Sequence, residues 1–504
     1  MKYVIFLTLQ MIAGAGLAQQ TTFSKVFSNY SFNPENGWDI VEISTGYLLV
    51  ATNNCLDSPD DNCSSVMLLD FNGDIVWLTD LPQGLGYRAS HIHATEDRIY
   101  VSGVAYAEED YQYGLSCLDM NGTLLWREQY GNSQKAEWPA GLLSLRNNNM
   151  ILYGERDRNV NHMYEWLPTL IKVNAQGDSL AEYTLNAQYD ASSPHDMFET
   201  TRQELLVAYE YCPDGCVLDL KAGVVCLDSA GNTQWVLDLP YSYSPYVPMI
   251  NQLDSNTLAV KWHIDSTVPN YDLSPPAIFY TDMEGVIQDT LIFANQSLKE
   301  VQGMQPMWED GLIGCGREFI DYLTVSNPPL AGWVFRVGND RQIAWERLYI
   351  DTTYRGDVFL GLNKIIPTSD GGYLAVGTIN NYETGVYESH NWVLKLDAQG
   401  CLEPGCDAVT YITGTEEADF LLGKNVRIYP NPAKDYVHIE LPPEFQLKNV
   451  SCCLLSASGV VLKENDVLVN PAPLALTGLP TGIYYVVVKQ NHKVLVAKRL
   501  IIQK

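Results

Sequence analysis

One ten-residue phrase recurs along this chain, and its repetition limits the possible folds more than any other feature. The clearest copies read LLDFNGDIVW (68–77), CLDMNGTLLW (117–126) and CLDSAGNTQW (226–235). Each copy has an Asp, a Gly and a Trp at fixed spacing. Four weaker copies read KVNAQGDSLAEY, YTDMEGVIQDT, RVGNDRQIAW and KLDAQGCLEPGC. Self-similarity at a regular interval indicates an array of equivalent structural units.

The interval between the copies is nearly constant. Their turn positions are, in chain order, Gly73, Gly122, Gly177, Gly231, Gly285, Arg341 and Gly400. Successive turn positions lie 49, 55, 54, 54, 56 and 59 residues apart. Seven units are therefore predicted, and the sequence contains no recognisable eighth copy.

Each copy predicts a hairpin between the third and fourth strands of a unit. A strand-like phrase such as YLLVATNN (47–54) or RIYVSGVAY (98–106) precedes each copy, and a short apolar segment precedes that phrase. The Gly supplies the positive φ that a tight hairpin requires. The Trp on the fourth strand is suited to packing between neighbouring sheets. Four strands in each of seven units predict an all-β chain with a seven-bladed β-propeller over residues 19–411.

The seventh unit lacks a fourth strand, because the sequence runs into CLEPGC where that strand is expected. The segment TTFSKVFSN (21–29) has strand character but no unit of its own. We predict that it supplies the missing outer strand of the seventh blade and so removes a free sheet edge. The alternative is a frayed N-terminal segment.

The LDxxGxxxW phrase resembles the repeats of pyrroloquinoline-quinone-type propellers and of bacterial delta-60-type repeat propellers, over roughly residues 21–411. The resemblance implies a fold rather than an activity, since the shared motif is a turn and a packing residue. Quinone-dependent dehydrogenases of this type typically have eight blades and a vicinal Cys pair at the cofactor. The propeller region here has neither, so no cofactor is expected. Sialidase Asp boxes are also excluded, because Asp119 and Gly122 are three residues apart rather than two.

A different β pattern occupies the C-terminal end of the chain. Alternating strands with Gly and Pro turns over residues 426–504 predict a small immunoglobulin-like β-sandwich, preceded by a polar linker at 412–425. This segment resembles the type A sorting domain of the type IX secretion system of Bacteroidota. The residues that carry the resemblance are Tyr429, Pro430, Asn431, Pro432, Gly459, Gly482, Tyr484, Lys498 and Arg499.

The resemblance to the sorting domain implies a route for the protein and two partners. It implies export to the periplasm, passage through the type IX translocon, and a protein that is secreted or attached to the outer cell surface. In that family a sortase-like peptidase often removes the domain and attaches the cargo to surface lipopolysaccharide. Residues 426–504 are therefore expected to be an address label rather than a working domain.

The N-terminal sequence agrees with export. Lys2, an apolar run and the small residues before Ala18 predict a secretory signal peptide over residues 1–18. The alternative is a membrane anchor, but the apolar run is short for one, and the mature chain is expected to have no transmembrane span.

The charge of the chain limits its partners. The formal net charge is −29, although residues 426–504 carry 9 Lys and Arg against 5 Asp and Glu. The remainder is therefore strongly acidic, which argues against nucleic acid or an anionic membrane as a partner.

Nine of the eleven cysteines fall into two groups. In an exported protein the closely spaced ones predict local disulfides, and the candidates are Cys55 with Cys63, Cys212 with Cys216, and Cys401 with Cys406. Zinc is the alternative, but the spacing of zinc ligands is absent. Cys117, Cys226 and Cys315 lie in apolar strand patterns and are expected to be packed thiols.

The candidate ligand-binding residues lie where the first strand of each unit begins, at the expected mouth of the propeller channel. They are Trp38, Asp39, Arg88, His91, Trp138, His195, Asp196, Tyr246, Arg355 and Asp357. The aromatic rings could stack on sugars, and the Arg and Asp side chains could bind hydroxyl or carboxylate groups. Equally, these residues could be ordinary loop and packing residues.

No metal site or catalytic set is predicted. His91 and His93 would share a face of a strand, but no third ligand has a recognisable spacing. The sequence has no G-x-S-x-G, HExxH or phosphate-loop motif. Two functions remain: a non-enzymatic module that binds glycan or protein, and, as the alternative, an extracellular polysaccharide hydrolase or lyase. Paired carboxylates with a raised pKa at the mouth would favour the enzyme.

Overall fold

The computed structural model of the chain describes most of its length outside the N-terminal segment and a set of loops. The described residues are 21–28, 36–55, 58–81, 88–107, 110–131, 135–157, 166–185, 191–212, 221–239, 247–264, 275–293, 297–308, 310–320, 330–352, 357–383, 386–412, 416–419, 426–441, 447, 450–456, 461–490 and 493–503. Throughout these ranges every regular element is a β-strand, and no helix is long and apolar enough to cross a membrane. The signal peptide predicted over residues 1–18 lies outside them.

The strands form small sheets in propeller-like repeats. The first strand, β1 (Phe23–Ser28), joins the last of these sheets. Five four-stranded antiparallel sheets then follow one another, each with its strands in chain order. Sheet 1 comprises β2 (Asn36–Ile43), β3 (Gly46–Cys55), β4 (Ser58–Leu69) and β5 (Ile75–Leu81). Sheet 2 comprises β6 (Arg88–Ala94), β7 (Arg98–Ala107), β8 (Asp110–Asp119) and β9 (Leu124–Tyr130). Sheet 3 comprises β10 (Glu137–Ser144), β11 (Met150–Asp157), β12 (Trp166–Val173) and β13 (Ser179–Thr184).

The next sheets continue the pattern, and the last two of the repeat gain extra strands. Sheet 4 comprises β14 (Ala191–Glu199), β15 (Leu205–Cys212), β16 (Lys221–Leu227) and β17 (Thr233–Asp238). Sheet 5 comprises β18 (Met249–Gln252), β19 (Leu258–His263), β20 (Pro276–Thr281) and β21 (Ile287–Ile292). Sheet 6 comprises β22 (Leu298–Met307), β23 (Gly311–Phe319), β24 (Leu330–Val337) and β25 (Ile343–Asp351). Sheet 7 begins with β26 (Asp357–Pro367), β27 (Tyr373–Glu383) and β28 (Val386–Leu396).

Three further strands complete sheets 6 and 7. β29 (Val409–Ile412) pairs in parallel with β25, on the outer edge of sheet 6. β1 pairs antiparallel with β28, and β30 (Glu416–Asp419) pairs in parallel with β1. The order in sheet 7 is therefore β26-β27-β28-β1-β30. β30 lies within the range that the sequence predicts as a polar linker.

The chain order of an antiparallel meander gives each sheet two different ends. The first strand, which we call the inner strand, begins at one end, and the second strand returns to it. We call this end the mouth. The hairpins between strands one and two, and between strands three and four, lie at the opposite end, which we call the turn end.

The recurring phrase forms the hairpins of the turn end, as predicted. All seven turn positions have positive φ, from 63° at Arg341 to 91° at Gly177. In CLDMNGTLLW the Gly122 N–H donates to the Asp119 carbonyl at 2.9 Å, and the Asp119 side chain accepts from the N–H groups of Asn121 and Thr123. The recurring Asp therefore caps its own turn, which explains its fixed spacing.

The fourth-strand aromatic packs on the turn of the next unit. A Cβ added at Gly122 would lie 2.7 Å from the ring of Trp77, and one at Gly285 would lie 2.9 Å from that of Trp235. The predicted role of these Trp residues in packing between sheets is confirmed. The same contact at Gly73 is made by Phe23 of β1, at 2.7 Å.

Apolar clusters fill the spaces between neighbouring sheets. Each of seven clusters in the described residues takes side chains from two adjacent sheets, and one of them joins sheet 7 to sheet 1. Each inner strand contacts the inner strand of the next sheet, and β26 contacts β2. Because strand residues alternate in direction, a single sheet supplies two of these clusters from its two faces.

The C-terminal domain has two sheets around a separate core. β31 (Arg427–Tyr429), β32 (Tyr436–Glu440) and β35 (Ala472–Ala475) form one sheet. β34 (Val461–Asp466), β33 (Val450–Ser456), β36 (Gly482–Gln490) and β37 (Lys493–Ile502) form the other, in that order. Buried side chains from both sheets, such as Val437 and Val486, share one apolar cluster. The domain meets the turn end of sheet 2, where Arg499 Nη1 lies 3.5 Å from Thr123 Oγ1.

The structure tests some of the cysteine predictions. Cys401 and Cys406 form a disulfide with Cα atoms 5.6 Å apart, as predicted. Cys117, Cys226 and Cys315 are buried free thiols, as expected, and burial raises the pKa of each. The predicted pairs Cys55 with Cys63 and Cys212 with Cys216 fall outside the side chains that are described.

Candidate functional site

A shared irregularity fixes the register of the inner strands. In six of them the pairing with the second strand shifts by one residue near the mouth. The residue after this β-bulge is Asp39 in β2, His91 in β6, Gly141 in β10, Asp196 in β14, Gly303 in β22 and Lys364 in β26. A bulge redirects the side chains beside it. Three of the predicted site residues, Asp39, His91 and Asp196, therefore occupy equivalent positions.

Asp39 and Asp196 make the same hydrogen bonds in different sheets. One oxygen of Asp39 accepts from the N–H of the next residue at 2.9 Å, and the other accepts from the N–H of Ile92 in sheet 2 at 3.1 Å. Asp196 likewise accepts from the next N–H at 2.9 Å and from Ile250 in sheet 5 at 2.9 Å. Each carboxylate thus joins its own sheet to the next, which gives both residues a structural role.

Asp39, His91 and Asp196 form a cluster of buried polar groups, and Lys364 adds a positive charge to it. Its Nζ lies 3.6 Å from Asp39 Oδ1, and the Asp39 carboxylate raises the pKa of Lys364. Burial lowers the pKa of His91 to about 4 and raises the pKa of Asp196 to about 6. At neutral pH the cluster therefore contains a charged Lys364 and an uncharged His91.

The two histidines of β6 pack against tyrosines. The His91 ring lies 6.5 Å from that of Tyr153, and His93 stacks on Tyr100 with ring centroids 6.3 Å apart. His91 Nδ1 is also 2.9 Å from Ser90 Oγ. Among the described residues, no group of three or more His, Cys, Asp and Glu side chains is placed to hold a metal ion.

A second cluster lies at the mouth of sheets 3 and 4. It consists of Glu155, Ser193, His195 and Glu210, and we call it the Glu–His cluster. Ser193 Oγ donates to Glu155 Oε2, and His195 Nε2 lies 3.0 Å from Glu210 Oε2. Burial raises the pKa of Glu155, against the opposing effects of the Ser193 hydrogen bond and of His195. The cluster therefore places a carboxyl group that binds its proton more tightly than usual near an imidazole and a second carboxylate.

Lys261 lies buried near this cluster, in the second strand of sheet 5. Its Nζ donates to the Val247 carbonyl at 2.8 Å. Burial lowers the pKa of Lys261 to about 7, although the carboxylates of Glu210 and Glu300 act in the opposite direction. Its charge at neutral pH is therefore partial.

An aromatic pair, the exposed Trp138 and the half-buried Tyr111, lies at the mouth of sheets 2 and 3. Trp138 is the second residue of β10, and its Cα is the register partner of Glu155 in β11. The Trp138 side chain is 38% exposed, and its ring centroid lies 4.4 Å from that of Tyr111. An indole held by a second ring and open to solvent at the mouth can receive a flat apolar face of a ligand.

The remaining predicted ligand residues are placed only in part. Trp38, Arg88 and Asp357 lie on β2, β6 and β26, but their side chains are outside the described part of the structure. Tyr246 and Arg355 lie outside the described residues altogether.

The sequence prediction missed Lys364, Glu155 and Glu210. Glu155 and Glu210 are the sixth residues of β11 and β15, so they hold the same place in consecutive units. Aligning NMILYGERD with ELLVAYEY along the second strands would have found both. Lys364 shares the register of Asp39 only because of the bulge, which the sequence does not mark.

A cavity of about 850 Å³ lies elsewhere, where the C-terminal domain meets the turn end of sheets 1 and 2. Its lining includes Asp70, Phe71, Glu96, Cys453, Tyr485 and Lys489. None of the predicted ligand-binding residues lines it. This cavity is therefore a feature of the contact between domains and is separate from the mouth.

The residues predicted as the sorting signal come together in the C-terminal domain. Asn431 Nδ2 donates to the Arg499 carbonyl at 2.8 Å, and Asn431 Oδ1 accepts from the Ile501 N–H at 2.8 Å. Tyr484 is buried, and its hydroxyl donates to the Pro480 carbonyl at 3.0 Å. The YPNP box is thereby tied to the last strand, which explains why both features belong to one motif. Gly459 lies outside the described residues.

Comparison with known families identifies this domain. Residues 427–503 match the family model described as "Secretion system C-terminal sorting domain". The C-terminal domain is thus a type IX sorting domain, and the chain is exported by type IX secretion to the cell surface or the extracellular space.

No curated protein matches the chain. Among solved structures, the polysaccharide lyase Uly1 is similar over 75% of this chain and 98% of its own, with 10% identity and a TM-score of 0.44. A protein of unknown function from Dyadobacter fermentans DSM 18053 is similar over 75% of this chain and 95% of its own, with 9% identity and a TM-score of 0.36. Similarity at this level does not identify a function.

Proposed function

We propose that the seven sheets close into one seven-bladed β-propeller, with β1 as the outer strand of the seventh blade. The contacts between successive inner strands, including β26 with β2, support this closure. So does the apolar cluster between sheets 7 and 1, to which β1 contributes Phe27. Phe23 packs on Gly73 in the way the fourth-strand aromatics of other sheets pack on the next turn, and Lys25 Nζ lies 2.6 Å from Asp74 Oδ1. The resemblance of the repeat to quinone-type and delta-60-type propellers points to the same architecture.

Deletion of residues 19–30 tests the closure. It removes the buried side chains of Val26 and Phe27, so we expect the melting temperature to fall by about 5 °C or more. Deletion of residues 19–21 leaves β1 intact and is the matched control. An unchanged melting temperature in the longer deletion would overturn the closure.

We propose further that the exported propeller binds a glycan at its mouth. The observation that carries this proposal is the solvent-exposed Trp138, whose ring packs at a tilt against that of Tyr111 and whose Cα is the register partner of Glu155 in the next strand. An aromatic surface beside a few convergent polar groups is the usual composition of a small-molecule or sugar site. A protein ligand remains the alternative occupant of the same surface.

A glycan array on the mature chain tests the binding proposal. We expect Trp138→Ala to weaken binding to the retained glycans by about tenfold or more, since removing a central aromatic contact commonly costs that much. Trp308→Ala is the matched control, because Trp308 is 50% exposed but follows β22 at the turn end. Binding to no glycan, or equal losses in both variants, would refute the proposal.

A second candidate function is polysaccharide hydrolysis or elimination at the same mouth. It is favoured by the position of Glu155 near His195 and Glu210 and by the burial that raises the pKa of Glu155, since a raised carboxyl pKa is the direction that a general acid requires. A polysaccharide-degradation screen on the mature chain tests it. Turnover that is lost in Glu155→Gln or His195→Ala, while glycan binding is retained, would replace the binding-only proposal with the enzyme.

A further inference from the structure

Two short strands between the seventh unit and the sorting domain, β29 and β30, pair with the outer edges of sheets 6 and 7. β29 runs parallel to β25, with the Leu348 N–H donating to the Ala408 carbonyl at 2.8 Å and the Thr352 N–H donating to the Ile412 carbonyl at 2.9 Å. β30 then runs parallel to β1, pairing Lys25 through Ser28 with residues 416–419. We call β29 and β30 together the strap.

The strap is anchored by side chains as well as by backbone pairing. Ile412 is 7% exposed and belongs to the apolar cluster between sheets 6 and 7, together with Val26 of β1. The preceding residue, Tyr411, is 65% exposed. Just before the strap, the Leu402 carbonyl accepts a hydrogen bond from Thr22 Oγ1 at 2.6 Å. The two ends of the propeller sequence therefore contact each other at several points.

β1 is connected to its sheet differently from the other outer strands. The fourth strands of sheets 1 to 6 are joined to their third strands by short hairpins, so their pairing closes a short loop. β1 and β28 are instead separated by more than 350 residues of chain, and closing a longer loop costs more conformational entropy. β1 is held on one edge by β28 and on the other by β30.

We propose that the strap is part of the working propeller and locks the N-terminal strand in place. The surfaces it occupies are the outer edges of β25 and β1, and their occupants are this chain's own strands β29 and β30, added by strand pairing. The propeller is then complete only when residues up to 419 are available. The sorting domain begins only a few residues later. The last strand of the propeller and the start of the sorting domain therefore become available for folding at nearly the same point of the chain.

Amide hydrogen exchange on the mature chain tests the lock. Residues 409–419 are replaced by an eleven-residue Gly/Ser segment, and the sorting domain is retained. We expect exchange of the β1 amides to accelerate by about tenfold or more, because β1 would separate locally from β28 without its partner β30. The amides of sheets 2 to 4 should keep their protection. Unchanged protection of β1 in the folded variant would overturn the proposal.

A pair of neighbouring substitutions keeps the test decisive even if the replaced chain does not fold. Ile412→Asp places a charge in the cluster that contains Val26, whereas Tyr411→Asp changes an exposed position on the same strand. We expect faster exchange of β1 in Ile412→Asp and wild-type exchange in Tyr411→Asp. Equal behaviour of the two variants would show that the strap does not hold β1.

Discussion

The turn end and the mouth of the seven sheets differ in how far their residues repeat from unit to unit. At the turn end every unit has a hairpin with a positive φ, and most units make the same aromatic contact with the next turn. An Asp caps this hairpin in five units and Asn174 caps it in the third, whereas the sixth has Gly338 at that position. At the mouth the units differ: Trp138 stands on one inner strand, His195 on another and Asp357 on a third. The residues that repeat at the turn end therefore maintain the architecture, whereas the candidate binding residues lie at the mouth.

The largest expected effect is a difference in stability between alanine variants of two tryptophans, one at each end. Trp126 packs on Gly177 of the next turn, with a Cβ there only 3.0 Å from the ring, so Trp126→Ala should lower the free energy of unfolding by about 3 kcal/mol. Trp138→Ala at the mouth should cost less than about 1 kcal/mol, because that side chain is partly exposed. Urea denaturation of both variants measures the difference, and similar losses would break the distinction between the two ends.

A smaller effect is expected from the glycines of the turns. Gly122→Ala combines an unfavourable positive φ with a Cβ 2.7 Å from the Trp77 ring, so a loss of about 2 kcal/mol is expected. Gly405→Ala is the control, since Gly405 also has positive φ but nothing within 4 Å of the added Cβ. Its loss should be about 1 kcal/mol. If the two losses measured by thermal denaturation are equal, the packing between units does not depend on this close approach.

The remaining predictions concern the dependence of stability on pH, whose sign should differ between the two ends. Burial raises the pKa of Asp196 to about 6, above that of an unfolded Asp, so its stabilising contribution is complete below about pH 4 and is lost as the pH rises through 6. The stability of Asp196→Asn relative to wild type should therefore improve between pH 4 and pH 7, by about 2 kcal/mol. A difference that stays constant over this range would contradict the assignment.

The turn aspartate Asp228 should behave in the opposite way. Hydrogen bonds from the Asn232 side chain and from nearby backbone N–H groups lower its pKa. Its contribution is present above the pKa of an unfolded Asp and is lost as the pH falls through the lowered value. A carboxyl titration by NMR would show this, and a pKa for Asp228 above that of a free Asp would exclude the capping role.

Local signals in the sequence were sufficient for the turn end. The Asp and Gly of CLDMNGTLLW specify a hairpin through hydrogen bonds within five residues, and Cys401 with Cys406 spans an equally short stretch. The sorting domain was predictable because its motif is compact and ordered along the chain.

The mouth and the strap depended on information that local sequence does not contain. Lys364 approaches Asp39 because a bulge sets the register of β26 and because β26 and β2 meet from opposite ends of the propeller sequence. The Glu–His cluster combines residues from two sheets, so its composition required an alignment of the second strands. β30 pairs in parallel with β1, although almost four hundred residues separate the two strands in the chain. β30 is only four residues long, which is too short for a periodic pattern to identify it.

The position of the strap also has a mechanical consequence. A tension applied along the chain to the sorting domain reaches β30 first and β29 next, before any strand that forms the seven units. Because both strands lie alongside their partners, such a pull slides them along the sheet edge and loads several hydrogen bonds together. Along the chain, the strap is therefore the first paired element of the propeller region that such a tension would load.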